Sequence, residues 1–266
     1  MSDPYGTPNE SEQHQNLDVS RCIEVEDEVN ISGIDFFEDN LKELIKFTAT
    51  NYKDREIIRL ALLGLVSLTE NYFRIILSDT LRSCPESHSL CSKFDVNFAS
   101  ARYYSPRSIA RSLVDSSVFS NSTTIASETK KLTGIDVNDS ESVKNALSEF
   151  HKVCILRHAA VHSFGRLGGK NVMELGLRQA SGVMVSPSYD AFDEICGICQ
   201  NLVRAYNSFM WRAIVSRLKS KGLLKFDNSN IDQDFFATLQ NVFWTRTKIA
   251  SDAGVLYGEI SAQATG

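Results

Sequence analysis

Proline and glycine are scarce in this chain, at 5 and 14 of 266 residues, which excludes collagen-like and low-complexity architectures. Cysteine is sparse too: Cys22, Cys84, Cys91, Cys154, Cys196 and Cys199 are spread over the whole length, too thinly for a disulfide scaffold. The opening MSDPYGTPNESEQHQNLDVS has neither the basic start nor the apolar stretch of a secretory signal, so a reducing, cytoplasmic location with free thiols is expected. Long apolar runs are missing as well. The most apolar stretch, Leu60 to Leu68, is about half of the ~20 residues a bilayer crossing needs, and Glu70 and Arg74 follow it, so no membrane partner is expected. No glycine-rich phosphate loop precedes a helical pattern, no nucleophile elbow is present, and no strand–helix alternation or fixed repeat runs through the chain.

What is present is enough apolar material to build a sizeable core, with 42% hydrophobic and 23% charged residues, in one or two domains. The net charge of -5 is unevenly distributed. Residues 1–43 hold twelve Asp and Glu against Arg21 and Lys42, so the remainder is mildly basic, at +5. A mildly basic body is compatible with a nucleic-acid partner without establishing one. Residues 1–30 have the polar, acidic composition of a disordered lead, and the acidic stretch up to Glu43 is expected to be dispensable for the fold.

From Ile34 the pattern turns helical. Phe36, Phe37, Leu41, Leu44, Ile45 and Phe47 recur at three- and four-residue spacing, as one buried face requires. A second helix is expected from about Tyr52 to Leu81, with Ile58, Leu62, Leu65, Val66, Tyr72, Phe73 and Ile76 forming a wide apolar surface beside a narrow polar strip of Glu56, Ser67, Glu70, Arg74 and Ser78. That breadth marks a central helix. Ser105-Pro106 offers an N-cap and a first-turn proline for a short helix through Ile109, Leu113 and Val114, and Ser120 to Asn138 reads as a connection. Asp139-Ser140 caps a helix in which Val143, Leu147, Phe150, Cys154, Ile155 and Val161 face inward, ending near Gly165. The glycine-containing text from Gly165 to Pro187 reads as a long loop with a short hairpin. Ser188 then caps a long helix from about Tyr189 to Lys221 closed by Gly222, and one more, about Ile231 to Ile249, carries Phe235, Phe236, Leu239, Val242, Phe243 and Trp244. The class is all-α: a helix bundle over residues 31–225 with an insertion, and an additional C-terminal helix and tail over residues 226–266 packing on it.

Three of the five histidines fall within HKVCILRHAAVHSFG. His158 and His162, four apart, share a helix face, while Arg157 lies about 140° from His162. The stretch Arg157-His158-Ala159-Ala160-Val161-His162 resembles the HEPN signature: an arginine, a polar residue, a few small or apolar residues, then a histidine. Leu68-Thr69-Glu70-Asn71-Tyr72-Phe73 has the look of the glutamate-bearing, aromatic-rich earlier helix of many HEPN proteins, and Tyr189 to Lys221 is similar to the long helix that completes their bundle. The resemblance covers roughly residues 34–221; the segment between Leu81 and Asp139 is longer than a minimal member needs.

This resemblance implies a metal-independent endoribonuclease, in a toxin-antitoxin or phage-defence setting, with Arg157, His162, His158 and Glu70 as the catalytic group. It also implies a homodimer or higher oligomer, with an antitoxin or other regulatory protein as a further partner. The chemistry suits these residue types. An imidazole moves protons near neutral pH, and a guanidinium clamps a phosphate and stabilises the charge that grows on it, worth ~3 kcal/mol per well-placed donor. Two motifs across a two-fold axis supply an acid, a base and two guanidiniums. The alternative is a catalytically silent HEPN-like module that binds a nucleotide, an RNA or a protein.

Plainer readings stand beside these. Glu70 also fits an exposed pair with Arg74, His158 a role in orientation alone, and His151 the polar edge of its helix. Arg166 and Lys170 are candidate RNA contacts and equally an ordinary solvated loop. Cys154, His158 and His162 run at i, i+4 and i+8 over two turns and cannot all reach one zinc, and Cys196-Gly197-Ile198-Cys199 has redox spacing inside a helical pattern, where packed thiols are the simpler reading. No metal and no cofactor are expected.

Overall fold

The computed structural model describes residues 16–24, 31–105, 108–178 and 182–264, in two compact units, Met1–Asn30 and Ile31–Gly266. Of the first unit, the described part holds one 3₁₀ turn, Val19–Cys22, started by Asp18 accepting the Ser20 N–H at 3.2 Å. The rest of the acidic lead expected to be disordered lies outside the described residues, as does Pro106.

The second unit is all-helical: α1 (Gly33–Thr50), α2 (Arg55–Ser83), α3 (Pro85–Cys91), α4 (Phe98–Tyr103), α5 (Ser122–Thr133), α6 (Glu141–His162), α7 (Gly169–Glu174), α8 (Tyr189–Ser220), α9 (Asn230–Phe243) and α10 (Arg246–Ala264). Among the described residues there is no strand, only a single antiparallel bridge between Arg166 and Met184. The long helices begin where a side chain receives an orphan backbone N–H: Ser32 for α1, Asp54 for α2, Ser140 for α6 and Ser188 for α8. α8 ends with Gly222 left-handed at φ 68, while the Leu223 N–H reaches the Leu218 carbonyl at 2.9 Å and the Gly222 N–H that of Lys219 at 3.0 Å.

α2 is the centre. α1, α6 and α8 pack along it, α3, α5, α9 and the 3₁₀ turn Ile109–Leu113 close the remaining sides, and α6 also packs on α8. Its Ile58, Leu62, Leu65, Val66, Tyr72, Phe73 and Ile76 are all buried. Each such large side chain contributes roughly 1.5–3 kcal/mol by leaving water. Phe73 meets Tyr206 of α8 edge-on at 4.9 Å and stacks on Phe119 at 5.9 Å, and Tyr72 meets Phe37 of α1 at 6.3 Å. The buried phenols need partners. Tyr72 donates to Asn207 Oδ1 (3.2 Å), whose Nδ2 donates to the Phe243 carbonyl (2.5 Å), joining α2, α8 and α9. The Tyr206 and Thr129 hydroxyls lie 2.8 Å apart, and Thr129 donates to the Ile125 carbonyl at 2.7 Å. Burial pushes both phenols well above their ordinary pKa.

Several expectations from the pattern are corrected. Ser120 to Asn138 is no mere connection: it contains α5, capped by Asn121 and stopped by left-handed Gly134, with Ile125, Thr129 and Leu132 buried at i, i+4 and i+7. Its many Ser and Thr residues lower helix propensity, and packing on α2 overrides that. The helix expected over Ile231 to Ile249 breaks at Trp244, which is extended, and Thr245 Oγ1 starts α10 by accepting the Lys248 N–H, so two helices rather than one follow the bundle. The Ser105-started helix is a 3₁₀ turn, the Gly165–Pro187 loop holds the short α7 and one bridge in place of a hairpin, Phe47 (54% exposed) and Val161 (43%) do not face inward, and residues 33–43 are not dispensable, since they begin α1 and bury Ile34, Phe37 and Leu41 against α2. α2 is, by length and composition alone, long and apolar enough to cross a membrane, because its apolar text continues past Glu70 and Arg74; 56% of that window is buried in the fold.

The Thr129–Tyr206 contact yields a directional test. Thr129→Val strands a buried phenol and should lower stability by about 1–3 kcal/mol in urea unfolding, whereas Tyr206→Phe should cost less, since the Thr129 hydroxyl keeps its bond to the Ile125 carbonyl.

Candidate active site

The last two turns of α6 carry Arg157, His158 and His162. Both imidazoles are exposed, with ring centroids 4.5 Å apart and planes tilted by 45°. Val161 shares this surface and Phe164, just beyond the helix, is 75% exposed, so the histidine face is partly apolar.

Arg157 lies round the helix from this face and is half-buried. Its Nε is buried without a hydrogen-bond partner. Beneath it, the Cys154 thiol is pushed up to about 12 by burial and, secondarily, by the negative charge of Glu70, with Arg157 opposing. Glu70 and Arg157 therefore act on a common spot between α2 and α6, and no ion pair joins them. Glu70 is paired instead with Arg74, at 3.7 Å. That is the plain i,i+4 pair, but buried rather than exposed: Glu70 is 9% accessible, and Arg74 also donates to the Ser117 carbonyl at 3.0 Å and lies over the Phe119 ring.

The end of α6 is anchored to α2 by Arg59, a residue the sequence pattern passes over. Arg59 is 4% exposed, donates to the Phe164 carbonyl at 3.1 Å, pairs with Glu56, and sits 4.5 Å from the Phe164 ring centroid. The Ser163 and Gly165 N–H groups both return to the Ala159 carbonyl, at 3.1 and 2.9 Å. This tight exit holds Phe164 at φ 50 and Gly165 at φ 91, and the Gly165 carbonyl accepts the Val185 N–H at 2.8 Å. The only sequence trace of the anchor is an arginine beside Ile58 on the apolar surface of α2.

His151 has a more specific place than a polar edge. Its Nε2 is 2.8 Å from Glu174 of α7 and its Nδ1 3.5 Å from the Ser122 hydroxyl of α5, so it tethers α7 to α6. Arg166 and Lys170 are both exposed in the segment after α6, and neither is in an ion pair among the described residues. All six cysteines are free thiols; Cys196 and Cys199 are packed in α8, with burial pushing Cys196 up to about 12 and Cys199 higher still. Among the described residues no three His, Cys, Asp or Glu side chains converge as metal ligands.

No family model, no curated protein and no solved structure matches this chain.

The α6 exit can be tested with two glycines. A Cβ on Gly165 would lie 2.8 Å from Arg59 Nη1 at a positive φ, whereas one on Gly197, in the middle of α8, meets nothing within 4 Å. Gly165→Ala should lower stability by about 1–3 kcal/mol, and Gly197→Ala should raise it by roughly 0.5–1 kcal/mol, both read from denaturant midpoints.

Proposed function

We propose that the chain is a HEPN-like, metal-independent endoribonuclease. The observation that carries this reading is the pair of exposed imidazoles 4.5 Å apart at the end of α6, one residue after an arginine with an unpartnered Nε. In this reaction one imidazole takes the proton of a ribose 2′-OH as its oxygen attacks the adjacent phosphorus, and the other returns a proton to the departing 5′-oxygen. A 2′,3′-cyclic phosphate and a free 5′-hydroxyl remain. Arg157 receives a phosphate oxygen and offsets the charge that grows on it. Glu70 holds the ground behind Arg157, and Arg166 and Lys170 meet flanking phosphates.

The site is composite in this proposal. One chain offers an acid and a base, but its guanidinium is half-buried away from the imidazole face. A second copy related by a two-fold axis supplies its own imidazoles and guanidinium to a shared cleft, so that a phosphate held by one protomer's Arg157 meets the other's imidazoles. The half-buried Arg157 also supports the second reading, a silent HEPN-like module that binds RNA, a nucleotide or a protein, in which the arginine is structural. Rate measurements separate the two. The toxin-antitoxin or phage-defence setting, with its antitoxin partner, belongs to the proposal by resemblance alone.

Cleavage should require the 2′-OH, persist in EDTA and leave a cyclic phosphate. His162→Ala should lower the rate by about 10²–10⁴ and Arg157→Ala comparably, with both variants remaining folded. Wild-type rates in either folded variant, or cutting of all-DNA substrates, would overturn the assignment.

Mixing His162→Ala with Arg157→Ala chains tests the assembly. Activity in the mixture should rise with heterodimer formation and depart from the mean of the two parents. A fully active monomer by light scattering at nanomolar concentration would exclude the composite site.

A further inference from the structure

The second half of α8, the α9–α10 junction and one face of α10 border an open cleft of about 640 Å³, within the usual range of small-molecule sites. Both tryptophans of the chain line it, Trp211 from α8 and Trp244 from the junction, with rings in edge contact at 5.6 Å. Four charged side chains join them: Arg212 on α8, and Lys248, Asp252 and Glu259 on α10. Two are positive and two negative, yet none of the four forms an ion pair with any described residue. Lys248 Nζ instead lies 5.0 Å from the Trp244 ring centroid.

We infer that this cleft binds a zwitterionic aromatic molecule, of which a free aromatic amino acid is the simplest. Asp252 is half-buried and the other three are exposed, so a ligand seated on the indoles brings its own charged groups against side chains that have no ion-pair partner among the described residues. A neutral apolar ligand draws nothing from the four charges, and a phosphate dianion faces two carboxylates. A zwitterion satisfies both signs: its carboxylate lies toward Arg212 and Lys248, its ammonium toward Asp252 and Glu259. The aromatic ring packs against the indoles, where edge and offset contacts between aromatic groups are favourable. The inference is independent of the nuclease reading, since it uses none of the residues assigned there.

The experiment is a titration of the full chain with L-phenylalanine, read by selectively excited tryptophan fluorescence. Phenylalanine is silent in that channel and both tryptophans report on the cleft. A saturable change is expected. Phenethylamine, lacking the carboxylate, and hydrocinnamate, lacking the ammonium, should each bind at least about tenfold more weakly. Arg212→Ala should bring phenylalanine down to the affinity of phenethylamine, and Asp252→Asn down to that of hydrocinnamate. No fluorescence change up to about 10 mM phenylalanine, a dissociation constant at the weak limit of useful recognition, would overturn the inference. So would equal binding of all three ligands, or tighter binding of adenosine monophosphate.

Discussion

A helix that is apolar over most of its circumference has to be covered on every side, and α2 is covered by α1, α6 and α8 along its length and by α3, α5 and α9 around the remainder. The cover also has to satisfy the few polar atoms that α2 carries inward. Tyr72 finds Asn207, Glu70 finds Arg74, and Arg59 finds Glu56 and the Phe164 carbonyl. Glu56 and Arg74 belong to α2 itself and Asn207 to the interior of α8, but the Phe164 carbonyl lies where α6 ends and turns, so there a polar demand of α2 sets the path of its neighbour. That contact places the end of α6, and with it the two imidazoles.

The candidate site gains its character from being half inside and half outside this core. His158 and His162 stand on the solvent side of α6, free of competing side-chain bonds, while Arg157 reaches inward to the ground shared with Cys154 and Glu70. An imidazole pair needs access to water and substrate. A guanidinium whose Nε has no partner in a buried setting is costly, on the order of 1–3 kcal/mol, and gains when an oxygen atom arrives. The two halves of the motif therefore answer to different constraints although they are adjacent in the chain.

Much of this was legible in the text of the chain, and what was not has definite physical reasons. The boundaries of α6 and α8 were readable because Ser140, Ser188 and Gly222 sit at their ends, and α2 showed itself by its broad apolar surface, while its Asp54 cap went unread. α5 was hidden because Ser and Thr residues at its surface read as a loop, although Ile125, Thr129 and Leu132 hold helical spacing. The break at Trp244 was hidden because the apolar spacing runs through it and only the capping geometry of Thr245 marks the restart. At the site, the closeness of His158 and His162 followed from their four-residue spacing. The Arg59 anchor and the His151–Glu174 tether did not, because each joins residues more than twenty positions apart, which local periodicity cannot register.

The single uninterrupted span of α8 carries a metric consequence. Thirty-two residues at 1.5 Å each make a rod of about 48 Å, and its two halves serve different neighbourhoods: Cys199 is buried in the half that packs on α6 and α2, while Arg212 borders the cleft. Thirteen residues separate those two positions, about 20 Å along the axis. Nothing bound at one end can touch the other. The rod is fastened along its length, by Gln200 and Arg204 to Glu38 of α1, by Asn207 to Tyr72 and the Phe243 carbonyl, and by Arg217 to the Thr133 carbonyl, so it cannot tilt about one of these points without loosening the others.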